Sequence, residues 1–520
     1  LEEIVNNFNQ DSGSIHEDFR LYLTSMPVKY FPVSILQNGL KLTTEPPRGI
    51  RANVKRSYND LTEETFKHAR PEWNRLLFGL CFFHAIVQER RKFGPIGWNI
   101  VYQFNDSDLE TSITMLRNFL NEFEFVPWES LSFVTGDINY GGRVTDDFDR
   151  LLLLCTLKKY YNPEILEEGY RFSESGIYYA PHLTSIFQYR EFIEKLPSDD
   201  PPEVFGMHEN SNLLFKLKES SSIISIILDI QPRVSGKSDA KSSDEIILDL
   251  VAELQGMVPE LIDPKECAKE FTKGNEKSPS TALFQELARF NNLLEVIKVS
   301  LISLSRAIQG LEIMSVVLDK MFVAFLKNKV PPNWEIVAYP SLRPLSSWVI
   351  DLVKRVEFMR KWCVEGNPSC FWLPGFFFPQ GFMTGTLQTF ARKHKIAIDQ
   401  LSFSFKMLKI YDPDSVRHKP EDGIYINGLF IECAKWNVEE GILEDQEVVK
   451  AITNLEMMPI IHFLPKENYV KSPESYSCPV YKTSIRAGVL STTGHSTNFV
   501  LTIDLPTIHP PDFWTLRGTA

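Results

Sequence analysis

Between Leu283 and Phe325 the apolar residues fall at steps of three and four. They are Leu283, Leu287, Phe290, Leu294, Ile297, Leu301, Leu304, Ile308, Leu311, Leu318, Phe322 and Phe325, with Ser315 in the one missed place. That spacing matches the turn of an α-helix, so it predicts one long helix, or two nearly in register, with a single apolar stripe to bury. Leu345, Val349, Leu352, Val356 and Met359 predict another helix. The flanks of the long stripe lack the sustained alternation of opposite charges that accompanies a coiled-coil seam, so packing within a helical layer is the expected use. The rival reading is a stand-alone scaffold that dimerises through the 283–325 stripe.

From Phe371 onward the period changes to two. Leu401, Phe403, Phe405 and Met407 alternate with polar residues, as do Phe499, Leu501, Ile503 and Leu505. Met458, Ile460, His462 and Leu464 suggest a third strand, and Gly, Pro and Asn427-Gly428 sit between such segments. Short strands punctuated this way predict an antiparallel β-barrel or sandwich. An apolar interior filled by Phe403, Phe405, Phe499 and Leu501 would leave no cavity. A polar pocket lined by convergent titratable groups would instead suggest an enzyme or ligand binder.

The start of the chain is mixed. Phe19 to Thr24 is a strand candidate, Val33 to Leu36 a second apolar stretch, and the signal is helical from about Leu61 to Tyr161. Asp106 or Ser107 is the expected cap of the helix carrying Ile113, Leu116 and Leu120. Ser235 to Asp244 and Lys273 to Thr281 read as polar loops. At 520 residues the chain is too long for one ordinary core, so several units are expected. The fold class is α+β, divided at 1–56, 57–170, 171–368 and 369–520.

A formal net charge of −12 argues against a nucleic-acid partner, because polyanion binding needs clustered Lys and Arg. It argues equally against a direct grip on the acidic surface of a microtubule. Seven scattered cysteines read as reduced thiols. Neither a signal peptide nor an apolar run long enough to span a membrane is visible, so no membrane partner is expected. The sequence at Leu1 resembles the middle of a domain and reads as a fragment.

Gly236-Lys237-Ser238 follows an apolar run, as the end of a phosphate-binding loop would. Such a loop needs a Gly five positions before its Gly-Lys pair. Here that place holds Gln231, followed by Pro232, which has no N–H to offer a phosphate. A polar surface loop is the better reading. Cys363 and Cys370 are too far apart, and lack a second pair, for a zinc ribbon. His84 and His462 lie in apolar segments and read as satisfied core or boundary histidines. Thr492, Thr493, Gly494 and His495 read as a hairpin or barrel loop, and no Gly-x-Ser-x-Gly elbow seeds a serine triad. Arg48, Arg51, Lys55 and Arg56 are the one concentrated basic cluster. Its bland reading is an exposed or inter-subdomain helix face; its functional reading is a contact to a neighbouring module, carried by Arg48, Arg51 and Arg56.

Long stretches are recognisable beyond this point. Phe19–Pro27, Phe31–Gly39 and Thr44–Asn53 resemble the end of the sixth AAA+ module of dynein heavy chains. Phe93-Gly94-Pro95-Ile96-Gly97-Trp98-Asn99 and Gly136–Val144 look like that module's helical lid. Glu203–Asn210 and Asp229–Val234 are similar to the family's C-terminal domain. Phe371–Pro379, Asp422–Phe430, Pro479–Thr483 and Leu490–Phe499 resemble axonemal members, and an inner-arm, single-headed type in particular.

The resemblance implies the end of an AAA+ α/β subdomain, an α-helical lid, a helical layer and a β-barrel. It implies a segment with no catalytic, nucleotide-binding or metal residues and no cofactor of its own. ATP and Mg would be handled by the parent chain, a minus-end-directed microtubule motor of the ciliary or flagellar axoneme. The implied partners are the other AAA+ modules and linker of the same heavy chain. Dynein intermediate and light chains and axonemal microtubules would be reached through the parent. It further implies that removing everything after about Glu174 changes velocity or force without abolishing ATPase activity.

Overall fold

The computed structural model describes residues 3–4, 16, 18–25, 31–42, 47–230, 242–264, 277–448, 455–488 and 496–520. The chain falls into two units, Leu1–Arg48 and Gly49–Ala520. In the first, Val33–Asn38 is a helix. Residues 18–25 lie outside any strand, and Tyr22 is 86% exposed. The expected strand at Phe19 to Thr24 is therefore not formed: a strand needs a neighbour to complete its ladder, and no described residue supplies one.

In the second unit two large hydrophobic cores organise the chain. The first is built from residues 50 to 207. Its centre is the Trp73–Glu89 helix, nearly all of whose side chains are buried. Around it lie the Ile50–Asp60, Asp106–Glu122, Asp147–Lys158 and Ile186–Glu194 helices. The second of these starts at Asp106, so its cap lies one residue before the earlier of the two predicted, Asp106 and Ser107. Asn105 caps it in a reciprocal box with Asp108, an arrangement that satisfies two orphan N–H groups at once. His84 is the satisfied core histidine expected, its ring nitrogens 2.8 Å from the Tyr140 hydroxyl and 2.9 Å from Gln88 Nε2. Burial pulls its pKa down to about 4, so it stays neutral.

The second core gathers the predicted stripe. Leu283, Leu287, Phe290, Leu294, Ile297, Leu301 and Leu304 are fully buried against the chain's own helices and strands. The stripe belongs to two helices, Lys277–Ile308 and Val316–Leu326. Gly310, at φ 76°, turns the chain between them, leaving Leu311 67% exposed, while Ser315 caps the second helix through the Leu318 N–H. The face from Leu283 to Leu304 is covered by the chain's own residues, as packing within a helical layer requires. The Leu345–Glu365 helix buries Leu345, Val349, Leu352, Val356 and Met359, as the spacing predicts.

The strands are β1 (Phe371–Trp372), β2 (Leu401–Met407), β3 (Ile424–Asn427), β4 (Phe430–Glu432), β5 (Lys435–Asn437), β6 (Ile442–Glu444), β7 (Leu455–Met457), β8 (Ile461–Glu467), β9 (Ser475–Tyr481) and β10 (Phe499–Pro506). They form a four-stranded sheet in the order β1-β3-β8-β2 and three two-stranded sheets, β10-β9, β4-β7 and β5-β6. The antiparallel barrel expected here is not found among the described residues. Closure requires a continuous ladder of hydrogen bonds around the ring. Here β4 to β7 are only three residues long, the β9–β10 ladder shifts register between Phe499 and Leu501, and β1 runs parallel to β3. A helix, Pro379–His394, interrupts the strand region.

The third predicted strand exists with its faces exchanged. Ile461 and Phe463 are buried in the core, while His462 Nε2 lies 2.9 Å from the Asp422 carbonyl oxygen. A slip of one residue exchanges the faces of a strand. Among the described residues five cysteines are free and buried, whereas Cys363 is disulfide-bonded, a departure from the expectation of reduced thiols throughout. No helix among the described residues is long and apolar enough to cross a membrane.

Candidate functional site

The residues that join the two cores form an organised polar site. The Trp73–Glu89 helix leads directly into Arg90, which has no exposed surface. Its guanidinium donates to the carbonyls of Phe205, Gly97 (3.2 Å) and Leu516 (3.2 Å). Phe205 and Gly97 belong to the first core's own segments, but Leu516 lies in the Pro511–Arg517 helix. Burial lowers the Arg90 pKa to about 10, leaving it charged at neutral pH. A buried guanidinium needs every donor engaged, because an unpaired buried charge is far more costly than a lost surface contact.

A second cluster lies beside it. Asp146 caps the Asp147–Lys158 helix by accepting the Phe148 and Asp149 N–H groups at 3.0 and 3.1 Å. Asp149 accepts the Asn99 and Ile100 N–H groups at 2.9 and 3.0 Å. The Asn99 amide then bridges outward, donating to Asp146 at 3.1 Å and to the Tyr481 hydroxyl on β9 at 3.0 Å. Burial, followed by the charge of Asp146, pushes the Asp149 carboxyl up to about 7, against the pull of its two backbone donors.

On the far side, Arg486 pairs with Glu432 at 2.7 Å and donates to the Gly518 carbonyl at 2.7 Å. Burial alone would lower the Arg486 pKa, but the Glu432 carboxylate more than offsets this and the net shift is upward. The Tyr476 hydroxyl donates to the Thr519 carbonyl at 2.9 Å, and the Glu432 N–H to the Ala520 carbonyl at 2.8 Å. Lys158–Asp512 at 2.7 Å and Arg517–Asp445 at 2.6 Å fix the two ends of the terminal helix. Trp514 is fully buried and donates to Thr507 at 2.7 Å. Residues 511–520 therefore act as a pin, held by the first core on one side and by the strands on the other.

Two glycines admit this close approach. Gly518 sits at φ 72°, and a Cβ there would come within 2.6 Å of the Ile96 carbonyl oxygen. Gly206, at φ 74°, would place a Cβ 2.9 Å from that of Leu516. Both positions favour glycine for backbone conformation and for space. Cys433, between β4 and β5, is buried in the first core.

The sequence-derived candidates lie elsewhere. Arg48 belongs to the first unit. Arg51 and Arg56 lie on the Ile50–Asp60 helix: Arg51 donates to the Leu196 carbonyl at 3.4 Å, and Arg56 pairs with Asp106. Lys55 pairs with Glu194. These contacts tie the helix to its own core, so Arg51 and Arg56 engage separate partners instead of converging on one site. Gly236-Lys237-Ser238 and Thr492-Thr493-Gly494-His495 lie outside the described residues. Cys370 is free and packs with Val416 and Ile460. Sequence reasoning misses the seam residues, although Asn99 ends one of the recognisable stretches and Arg90 directly follows the deeply buried Trp73–Glu89 helix.

Comparison with known proteins accounts for this order of parts. Residues 1–43 match the dynein heavy chain region D6 P-loop domain, residues 73–211 the dynein heavy chain AAA lid domain, and residues 217–520 the C-terminal domain of dynein heavy chains. The sequence is 45% identical over 545 residues to human dynein axonemal heavy chain 6, covering 100% of this chain and 13% of the relative. It is 44% identical over 524 residues to mouse dynein axonemal heavy chain 1, covering 100% and 12%. With mouse dynein axonemal heavy chain 12 the identity is 44% over 529 residues, covering 100% and 17%. The chain thus spans less than a fifth of the length of these curated relatives. The first core corresponds to the lid and the second to the C-terminal domain, and the chain belongs to the dynein heavy chain family.

Proposed function

We propose that this chain is a structural and regulatory segment of an axonemal dynein heavy chain of inner-arm type, without a catalytic or nucleotide-binding site of its own. The parent motor, driven by ATP with Mg in other modules, would move toward the microtubule minus end and power the beating of cilia or flagella from the axoneme. The segment's direct partners are the other AAA+ modules and the linker of its own chain. Intermediate and light chains and axonemal microtubules are engaged through the parent, with no nucleic acid or membrane involved. Arg48, Arg51 and Arg56 contact a neighbouring module.

The observation that supports a mechanical role is the pin. Arg90 of the lid and Arg486 of the strand region both bind the main chain of residues 516–518. A movement of the lid is thereby transmitted to the C-terminal domain, and the energy of a ring rearrangement includes this joint. The first core extends past residue 170 to Tyr178, Ile186, Tyr189, Ile193 and Phe205. A cut after Glu174 would strip the lid of these residues, so the informative truncation of the parent motor is made after Ser211.

That truncated motor is expected to keep ATPase activity within about threefold, a change of under 1 kcal/mol in barrier, while its velocity or stall force changes. Complete loss of ATPase in a truncated motor that is still folded would overturn the non-catalytic reading.

A further inference from the structure

The Val316–Leu326 helix and the segment 338–344 line an open groove of about 1020 Å³. Small-ligand sites reach roughly 1,000 Å³, so a groove of this size suits a longer guest. Helical spacing builds one wall. Lys320, Val323 and Lys327 stand three and four positions apart, hence on one face of the helix and its cap, and all three line the groove. The rest of the lining includes Leu342 and Ile485, apolar side chains that are 56% and 46% exposed.

The frame around this groove is stiff. Pro332, Pro340 and Pro344 line it, each with a fixed φ. Trp348, buried in the same lining, stacks on Trp334 and on Tyr339, with ring centres 5.8 Å apart in both pairs. The turn after the helix is tied down by Asn328. Its carbonyl accepts the Leu345 N–H at 3.0 Å and its side chain accepts the Ser346 N–H at 3.2 Å. A groove that is already shaped when empty loses little order on binding.

The charge of the groove runs against that of the molecule. The chain carries a formal −12, yet Lys320, Lys327, Lys329 and Arg343 line the groove against Asp319 and Glu335. All six side chains are exposed. Arg343 lies 3.9 Å from Asp351, a carboxylate that Arg355 already holds at 2.7 Å. Exposed cations beside exposed apolar side chains fit a guest that is both acidic and apolar.

We propose that this groove binds an extended acidic peptide of a partner protein. Its carboxylates pair with Lys320, Lys327, Lys329 and Arg343, and its apolar side chains lie on Val323, Leu342 and Ile485. Alternate side chains of an extended peptide point to opposite faces, so one strand can offer acids to the cations and apolar groups to the wall. A purely polar polyanion would leave Leu342 and Ile485 in water, and a basic peptide would be repelled by the lysines.

Fluorescence anisotropy of the intact 520-residue chain with a labelled peptide of alternating Glu and Leu tests this directly. Saturable binding that weakens as NaCl is raised is expected. Lys320→Glu combined with Lys329→Glu should weaken it about tenfold, and Leu342→Asp alone should do the same. Lys466→Glu, on β8 and outside the groove lining, should leave it unchanged. All four positions are exposed, so the variants fold, and circular dichroism verifies this. An all-Glu peptide of equal length should bind about fivefold more weakly, for want of apolar contact. Absence of saturable binding, or equal binding by the double lysine variant or by Leu342→Asp, would overturn the proposal. So would equal affinity for the all-Glu peptide or for labelled oligothymidine. A wild-type dimer in light scattering that dissociates in the double lysine variant would also overturn it, because the occupant would then be a second copy of this chain.

Discussion

Arg486 is the residue whose environment predicts the largest single effect. It is 4% exposed and engages both Glu432 and the Gly518 carbonyl. Removing one partner of a buried pair strands the other charge, which costs about 3–5 kcal/mol. Arg486→Met should lower stability by that amount in urea titrations, and Arg486→Met with Glu432→Met should recover part of it. A single variant as stable as wild type would show that the pair is not desolvated. Asp149 predicts a pH dependence of definite sign. Its folded pKa, about 7, lies above the ordinary value of 3.8. The stability held by the protonated carboxyl is therefore fully present below about pH 4 and is lost as pH rises to about 7. That loss is about 4 kcal/mol at most, because a tenfold change in proton affinity is worth about 1.4 kcal/mol. The urea midpoint should fall between about pH 4 and about pH 7 in wild type, and Asp149→Asn should flatten that fall. An unchanged slope in the variant would assign the dependence to other groups. None of these seam residues is legible in the sequence as part of a site. Arg90 and its acceptor Leu516, for instance, are 426 positions apart, and no local pattern relates them.

At the scale of elements, legibility follows burial. The stripe from Leu283 to Leu304 is readable because one helix buries one face, and its spacing repeats the helical turn. The pattern misleads at Leu311, where Gly310 turns the chain and the apolar side chain merely continues the count. It slips at His462 because Met458, Ile460, His462 and Leu464 precede or face away from the buried Ile461 and Phe463. An apolar run that continues through consecutive positions, as from Met457 to Leu464, does not announce its register. The barrel is unconfirmed among the described residues, since period-two spacing identifies strands without fixing whether their edges join. Leu304 separates packing from dimerisation. Leu304→Asp places a carboxylate at a fully buried position and should unfold the second core or send it into aggregates. A well-folded monomer obtained from a wild-type dimer would support the scaffold reading.

Across the second unit, residues 49–520 hold two cores joined by a polar seam and the terminal pin. The order of parts is legible from long stretches of sequence; the joint between them is not, because it is made of main-chain carbonyls and isolated polar side chains. The seam predicts that lid and C-terminal domain open together. Native-state hydrogen exchange resolves this, since segments that unfold alone exchange at lower free energy than segments that need global opening. Amides of the Trp73–Glu89 and Pro511–Arg517 helices are expected to share one opening free energy in wild type, and to separate in Arg486→Met. Exchange of the terminal helix at a much lower free energy than the lid helix in the unmodified protein would contradict a mechanically coupled pair of domains.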